Sequence, residues 1–420
     1  MGRTTHNMLK ETLAVVLAGG QGERLYPLTK DRAKPAVPFG GVYRIIDFTL
    51  SNAVNSGLRR IDVLTQYKSY SLQRHLQLGW DIFNFELGEY LQVIPPQQRM
   101  ASVWYRGTAD ALYQNIYILE KERPQWVLIL SGDHIYKMDY ARMLQYHVDR
   151  GADLTVACIE VNREEASRFG IVRVDEDSRI IDFEEKPADP KPIPGRPDAF
   201  LGSMGVYVFN TEELVRQVIV DSKRSTDHDF GRNILPQMIH NRDVFAYNFA
   251  QGSVGNPYWR DIGTIDAYWS ASQDLLESDP PFVIDDPAWP IRTYQGQYPP
   301  ARIVSTERDP HNCGAAINSL ICAGSVIHNA RVSDSILSPG VVVEEGAEVE
   351  GCMLMQGTVV AKGCKIHNTI IDKYVHIPPG TQIGINHEED SHRFTVTKSG
   401  VVVIPKELPF EQGFEVPIST

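Results

Sequence analysis

A chain of 420 residues with 42% hydrophobic and 22% charged residues has ample surface to bury and is long enough for two domains. Its net charge of −12 excludes the basic footprint of a nucleic-acid binder, and no apolar run approaches a membrane span, so neither nucleic acid nor membrane is an expected partner. Five cysteines (Cys158, Cys313, Cys322, Cys352, Cys364) without a C-x-x-C pair read as reduced thiols, and with no signal-peptide core before the first apolar run the expected compartment is the cytoplasm.

The apolar run Leu13-Ala14-Val15-Val16-Leu17 predicts a buried strand, and Gly19-Gly20-Gln21-Gly22 breaks it. Missing Cβ atoms there let backbone N–H groups approach a ligand, the usual way an open α/β sheet holds phosphates. The letters fit neither a P-loop, which needs Lys-Ser or Lys-Thr after its glycines, nor the dinucleotide fingerprint, whose last glycine is Leu25 here. Arg24, Arg32 and Lys34 follow instead, which suits a polyphosphate. A plain glycine turn with surface cations behind it is the ordinary alternative.

Further strands are expected at 61–65, 126–130, 153–159, 171–174, 180–184 and 205–209. Helices are expected near 48–56, 69–77, 108–121, 139–149 and 211–218, the first of the long ones capped at Thr108. This alternation predicts a mostly parallel sheet of Rossmann-like type. Residues 186–198 are too proline-rich for either element, and 278–316 form a proline-rich packed linker between a domain at 1–277 and one at 317–420.

In the second domain apolar residues step by six in triplets: Leu320-Val326-Val332, Leu337-Val343-Val349, Leu354-Val360-Ile366 and Ile371-Ile377-Ile383. The triplets start 17 residues apart, and Gly346, Gly363 and Gly380 keep the same interval. A period near six, with three steps per turn, marks a β-helix rather than a β-sandwich, whose strands would alternate with period two. His328, His367 and His376 would serve a catalytic coil, but a structural and assembly role is the expectation.

Two carboxylates stand where chemistry is expected. Asp133 directly follows the strand WVLIL, at the end of a sheet where ligands bind. Asp261 lies in PYWRDIGT. Either alone reads equally as a turn or cap residue, and Glu185-Lys186 after a strand reads equally as a surface pair.

LAGGQGERLYPLTKDRAKPAVPFGGVYRIIDFTLSN resembles the opening of the nucleotide-sugar pyrophosphorylases, most closely the bacterial ADP-glucose pyrophosphorylases. The order G-G-x-G-x-R-L, A-K-P-A and R-I-I-D-F carries the resemblance, and the repeat extends it over nearly the whole chain, implying that the C-terminal β-helix is left-handed. The resemblance implies transfer of the adenylyl group of ATP to glucose 1-phosphate, giving ADP-glucose and pyrophosphate, the regulated step of bacterial glycogen synthesis. It places Leu17, Ala18, Gly19, Gly20 and Gly22 around the nucleotide, Gln98 in PPQQR at the base, and Arg24 and Lys34 at the triphosphate. Asp133 in GDHIYKMDY and Asp261 would hold Mg²⁺, with Arg24, Lys34 and Asp133 as the catalytic residues. Glu185 and Lys186 in FEEKP would bind the sugar and its phosphate, with Tyr105, Gly170 and Ser203 beside them. Trp259 and Tyr258 are candidates to wall the sugar.

A UTP- or dTTP-using transferase, or a regulatory subunit with a decayed site, are the other readings. Arg24, Lys34, Asp133, Lys186 and Asp261 are all in place, which argues against decay. Where enteric members bind fructose 1,6-bisphosphate through a lysine, a histidine and an arginine, this chain has Asp31, Pro38 and Arg44. A carboxylate at the first position repels a phosphate, so fructose 6-phosphate or pyruvate is the expected effector. Arg32, Arg44 and Lys406, with Arg59 and Arg60, are candidate anion contacts, and the family implies a homotetramer.

Overall fold

The structure, a computed structural model, describes residues 5–20, 22–97, 104–193, 195–306 and 314–406. At its centre lies the strand Thr12–Ala18, paired in parallel with Arg60–Thr65 on one side and Trp126–Ser131 on the other. Both faces of this strand are covered, which is why it reads as an unbroken apolar run. Ala14, Val16 and Ala18 enter one core, and Leu13 and Val15 enter the other.

Among the described residues the sheet has nine strands. Tyr90–Ile94 extends it beyond Arg60–Thr65. On the far side the long strand Phe200–Asn210 runs antiparallel to Trp126–Ser131 and to Leu154–Val161, and it also meets Gly170–Val174. Ile180–Glu185 pairs with the last of these, and Val244–Asn248 closes the edge beside Leu154–Val161. The expected strands are all present, each within a few residues of its expected bounds. Tyr90–Ile94 and Val244–Asn248 are additions at outer positions.

Most helices also fall where expected, but three expectations need correction. The helix expected near 48–56 starts at Ile45 and buries its first nine residues, and a short helix, Thr5–Lys10, precedes it. The single helix expected over 108–121 is two, Thr108–Gln114 and Ile116–Glu122, broken at Asn115. Asn115 leaves the helical region, and its side-chain amide donates to the Ala111 carbonyl at 2.8 Å and to the Tyr105 hydroxyl at 2.9 Å. Thr108 is not the cap either; Gly107 holds that position.

Asp47, in the R-I-I-D-F segment, turns out to be structural. It is fully buried and faces His75 Nε2 at 2.7 Å, while the Trp80 indole and the Thr293 hydroxyl donate to it at 2.9 and 2.7 Å. It thereby ties the helix Ile45–Asn55 to the helix Tyr70–Gly79 and to the connecting segment. Asp47→Ala would strand several buried groups at about 1–3 kcal/mol each. The expected result is a fall in unfolding free energy of about 3 kcal/mol or more, read from the urea midpoint.

Among the described residues the C-terminal region is a three-faced prism of sheets with five, five and six strands, parallel except where Thr395–Val396 runs antiparallel to Val402–Ile404, consistent with a left-handed β-helix. Each coil turns three corners, and residues with left-handed backbone occupy them. One corner column is Asn318, Asp334, Gly351 and Asn368, another is Gly324, Gly340, Gly357 and Tyr374, and the third is Asn329, Gly346, Gly363 and Gly380. Gly and Asn take that conformation at least cost.

The first coil corrects the expected register. Leu337 stacks on Ile321 and Val343 on Ile327, not on Leu320 and Val326. Ile327 is accordingly fully buried, while Val326 is partly exposed. The repeat is 16 residues there and 17 afterwards. His328 and His367 are partly exposed and His376 is exposed.

Arg302–Val304 and Ala315–Ile317 pair with strands of the prism. The segment before them packs on the sheet domain, with the Trp289 indole donating to Asn52 and Arg292 N to Ser51. Phe39, Phe48 and Tyr268 share one apolar cluster with Ile336, Met353 and Val403, so the sheet domain and the prism are joined by a continuous core. Among the described residues no helix is long and apolar enough to cross a membrane.

Candidate active site

The C-terminal ends of Thr12–Ala18 and Trp126–Ser131 open into a cleft of about 640 Å³, a size suited to a small-molecule ligand. Leu17, Gly19, Gly20, Arg24, Lys34, Tyr105, Asp133, Gly170, Glu185, Lys186, Ser203 and Asp261 all line it. Residues separated by more than two hundred positions are thus gathered on one wall or the other.

The charged centre is built on a short antiparallel ribbon, His134–Tyr136 against Trp259–Asp261. Asp133 precedes the first strand and Asp261 ends the second. Lys34 Nζ lies between them, 2.8 Å from Asp133 Oδ2 and 3.0 Å from Asp261 Oδ1. Burial alone would push the Lys34 amine down, but the two carboxylates outweigh it and hold it above the ordinary lysine value. Burial likewise works against the Asp133 carboxylate; Lys34 and His134 overcome it and hold Asp133 well below the usual range, and the Ser131 hydroxyl also donates to it.

Gly22 explains how Lys34 is placed. Its φ is +65°, and a Cβ there would stand 3.0 Å from the Lys34 Cβ and 3.1 Å from Thr29 Cγ2. Gly22 therefore supports Lys34 from behind and does not line the cleft, and Ala18 is likewise buried behind it. Gln98 lies outside the described residues.

The same cleft is lined by Gly170, Phe183, Glu185, Lys186 and Ser203. Glu185 faces Gly170 in the antiparallel pair, and Lys186 Nζ is 3.6 Å from Glu185 Oε1. A Cβ on Gly170 would fall 2.4 Å from the Phe183 ring and 3.0 Å from Glu185 Oε2, so only glycine fits. Ser203 sits at a register shift between Ser203 and Tyr207, a bulge that re-aims the strand at the cleft.

Sequence reasoning missed several lining residues. Gln66, Thr108, Tyr207, Asp229 and Phe230 border the cleft. Asp229 accepts from Gly231 N, Arg232 N and the Thr108 hydroxyl, so in sequence it is indistinguishable from a cap. Trp259 lines the cleft with its indole N–H buried and without a hydrogen-bond partner among the described residues. Tyr258 does not line it; its hydroxyl donates to Asp274 at 2.7 Å.

The candidate effector residues lie elsewhere. Arg32 is buried, its Nη2 donating to both carboxylate oxygens of Asp372 of the prism at 2.9 Å, and its Nη1 has no partner among the described residues. Arg44 donates to the Ala36 carbonyl and to Ser71, while Arg59 and Arg60 bond to nearby carbonyls, and Arg60 also to Glu122.

The model of the nucleotidyl transferase family matches residues 13–278, and that of the GlmU-like C-terminal hexapeptide family matches 299–404. A glucose-1-phosphate adenylyltransferase of Vibrio cholerae is 51% identical over 96% of this chain and 99% of its own. Those of Alkalilimnicola ehrlichii and Methylococcus capsulatus are 48% and 47% identical, covering 97% and 96% of this chain and 96% and 95% of theirs. The chain belongs to the glucose-1-phosphate adenylyltransferase family. Nucleotidyltransferases of this kind generally use a divalent metal. Asp133, His134 and Asp261 offer ligand atoms within 4.8 Å of one another, a donor set that fits one.

Proposed function

We infer that this chain transfers the adenylyl group of ATP to α-D-glucose 1-phosphate, releasing ADP-glucose and pyrophosphate, in the cytoplasm and as the entry step to glycogen. The observation that carries this reading is the pairing in one cleft of a Lys34–Asp133–Asp261 centre with a Glu185–Lys186 pocket. A phosphate oxygen of glucose 1-phosphate attacks the α-phosphorus of ATP, and the bond to the bridging oxygen of the β-phosphate breaks. The attacking group is already anionic, so no general base is needed. Catalysis rests on alignment and on neutralising charge.

Mg²⁺, held by Asp133 and Asp261, would supply a positive charge to the phosphate oxygens. The chain's own residues do the rest. Lys186 holds the sugar phosphate, and Glu185, Ser203 and Tyr105 orient the sugar. Leu17, Gly19 and Gly20 present backbone to the nucleotide, with Gln98 on the base. Arg24 and Lys34 neutralise the departing pyrophosphate.

An anionic effector site at the junction of sheet domain and prism fits the same reading, and so does a homotetramer. Burial, then Arg44 and Arg32, push the Lys373 amine down to about 7 against the pull of Asp372, and Lys406 adds to the repulsion. Burial also lowers Arg44 to about 10, with Asp47 opposing and Arg32 and Arg74 contributing. Cations crowded to that degree are relieved by a bound anion.

The test is pyrophosphate release from glucose 1-phosphate and Mg²⁺ with ATP, UTP or dTTP. Each runs alone or with fructose 6-phosphate, pyruvate or fructose 1,6-bisphosphate. ATP-selective release, raised by the first two effectors and not the third, is expected. Preference for UTP or dTTP would overturn the substrate, and no release with any nucleotide would leave a regulatory subunit.

A further inference from the structure

The ribbon beneath the cleft converges three donors, not two. Asp261 stands directly across from His134 in the antiparallel register, and Asp133 is the residue before it. His134 Nε2 is 3.5 Å from Asp133 Oδ1, and one ligand atom from each of the three residues lies within 4.8 Å of the others. Around an ion with bonds of about 2.1 Å, adjacent ligands stand about 3 Å apart and opposite ones about 4.2 Å. The observed spread is therefore that of ligands around one ion after small adjustments.

The imidazole is also held for this purpose. His134 is 9% exposed, its ring meets the Trp259 ring edge-on at 5.0 Å between centroids, and its Nδ1 is buried without a protein partner among the described residues. A surface histidine has water for both nitrogens; this one is fixed between a carboxylate and an aromatic wall. The competing cation is Lys34, whose ammonium already contacts both carboxylates.

We propose that His134 is a third protein ligand of the divalent ion, making the site two oxygens and one nitrogen. The proposal rests on the reading of Asp133 and Asp261 as metal ligands. Mg²⁺ is a hard ion that gains little from an imidazole, whereas affinity for nitrogen rises from Mn²⁺ through Co²⁺. His134 therefore decides which metal the site favours, raising Mn²⁺ and Co²⁺ over Mg²⁺ relative to a site of oxygens alone.

The experiment uses the full chain with Mn²⁺ and pyrophosphate, a probe pair that contains no nitrogen. Electron spin-echo modulation is expected to show a directly bound imidazole nitrogen, shifting to the ¹⁵N pattern when the histidines are ¹⁵N-labelled. His134→Asn should abolish that signal and weaken Mn²⁺ at least about tenfold, while Mg²⁺, measured by competition, stays nearly unchanged. Asp133→Asn and Asp261→Asn should weaken both ions.

Bound Mn²⁺ without nitrogen modulation, or a chain that takes up no Mn²⁺, would sink the proposal. If the two aspartate variants also leave Mn²⁺ binding intact, the underlying metal site is wrong; if they weaken it and His134→Asn does not, only the third ligand is wrong. Should His134→Asn fail to fold, the labelled wild-type spectrum decides alone.

Discussion

Asp133→Ala is expected to lower kcat by about 10²–10³-fold, the usual cost of removing one charge-stabilising group. The structure gives the reason. Asp133 is the residue to which Lys34 is tied at 2.8 Å, and it stands just past the end of the strand Trp126–Ser131, where the proposed reaction brings the phosphates together. On the proposed reading its loss removes a metal ligand, and it also releases the lysine to Asp261 alone. Pyrophosphate release under saturating ATP and glucose 1-phosphate measures the effect, with thermal unfolding as the control for folding.

Lys34→Ala should cost a similar factor, and the double variant should lose much less than the product of the two. Groups that act as one unit are not additive. Additive losses would show that Lys34 and Asp133 serve separate steps. Burial opposes both charges, yet each carries the other past it, so both remain ionised through the neutral range. The defect should accordingly be flat with pH around neutrality.

How much of this was legible in sequence depended on whether a signal was local. Thr12–Ala18 is buried on both faces, and an unbroken apolar run can report nothing else. Tyr90–Ile94 escaped because it lies at the edge of the sheet, where Gln92 is exposed and the run loses contrast. The prism was visible because its corners repeat, but its first coil was misplaced by one residue. Leu320-Ile321 and Val326-Ile327 are apolar pairs, so letters could not say which member points inward; the 5-residue step from Gly324 to Asn329 decides it.

The site shows the same division. Asp133 announced itself by following a strand, whereas its convergence with Asp261 depends on a ribbon joining segments more than a hundred residues apart. Asp229 carried no sequence signal because a capping role uses the same letter, and Trp259 and Tyr258 stood as equal candidates beside Asp261 although only Trp259 lines the cleft. Arg32 looked like a free cation and proved to be the sheet domain's half of a buried bridge to Asp372. An opposite charge 340 positions away is not readable from its neighbours.

Lys186→Ala is expected to raise KM for glucose 1-phosphate about 10- to 10²-fold while leaving KM for ATP nearly unchanged. A charge-assisted hydrogen bond is worth about 1.5–3 kcal/mol, which converts to that range. The Lys186 side chain is half exposed, so the lower part of the range is the better expectation. Its backbone is left-handed, with φ of +49°, and its N–H is anchored to the Phe169 carbonyl at 3.0 Å. The side chain is thus aimed by the turn and not by its weak contact with Glu185. Lys186→Arg keeps the charge but replaces a compact ammonium with a longer planar fork, so it should recover only part of the affinity. Gly170→Ala separates charge from shape. It leaves Lys186 intact yet drives a methyl group into Phe183 and Glu185, and it should raise the same KM without touching the ATP side. If both Lys186→Ala and Gly170→Ala instead raised KM for ATP, the pocket would belong to the nucleotide, and the two halves of the cleft would have to be exchanged.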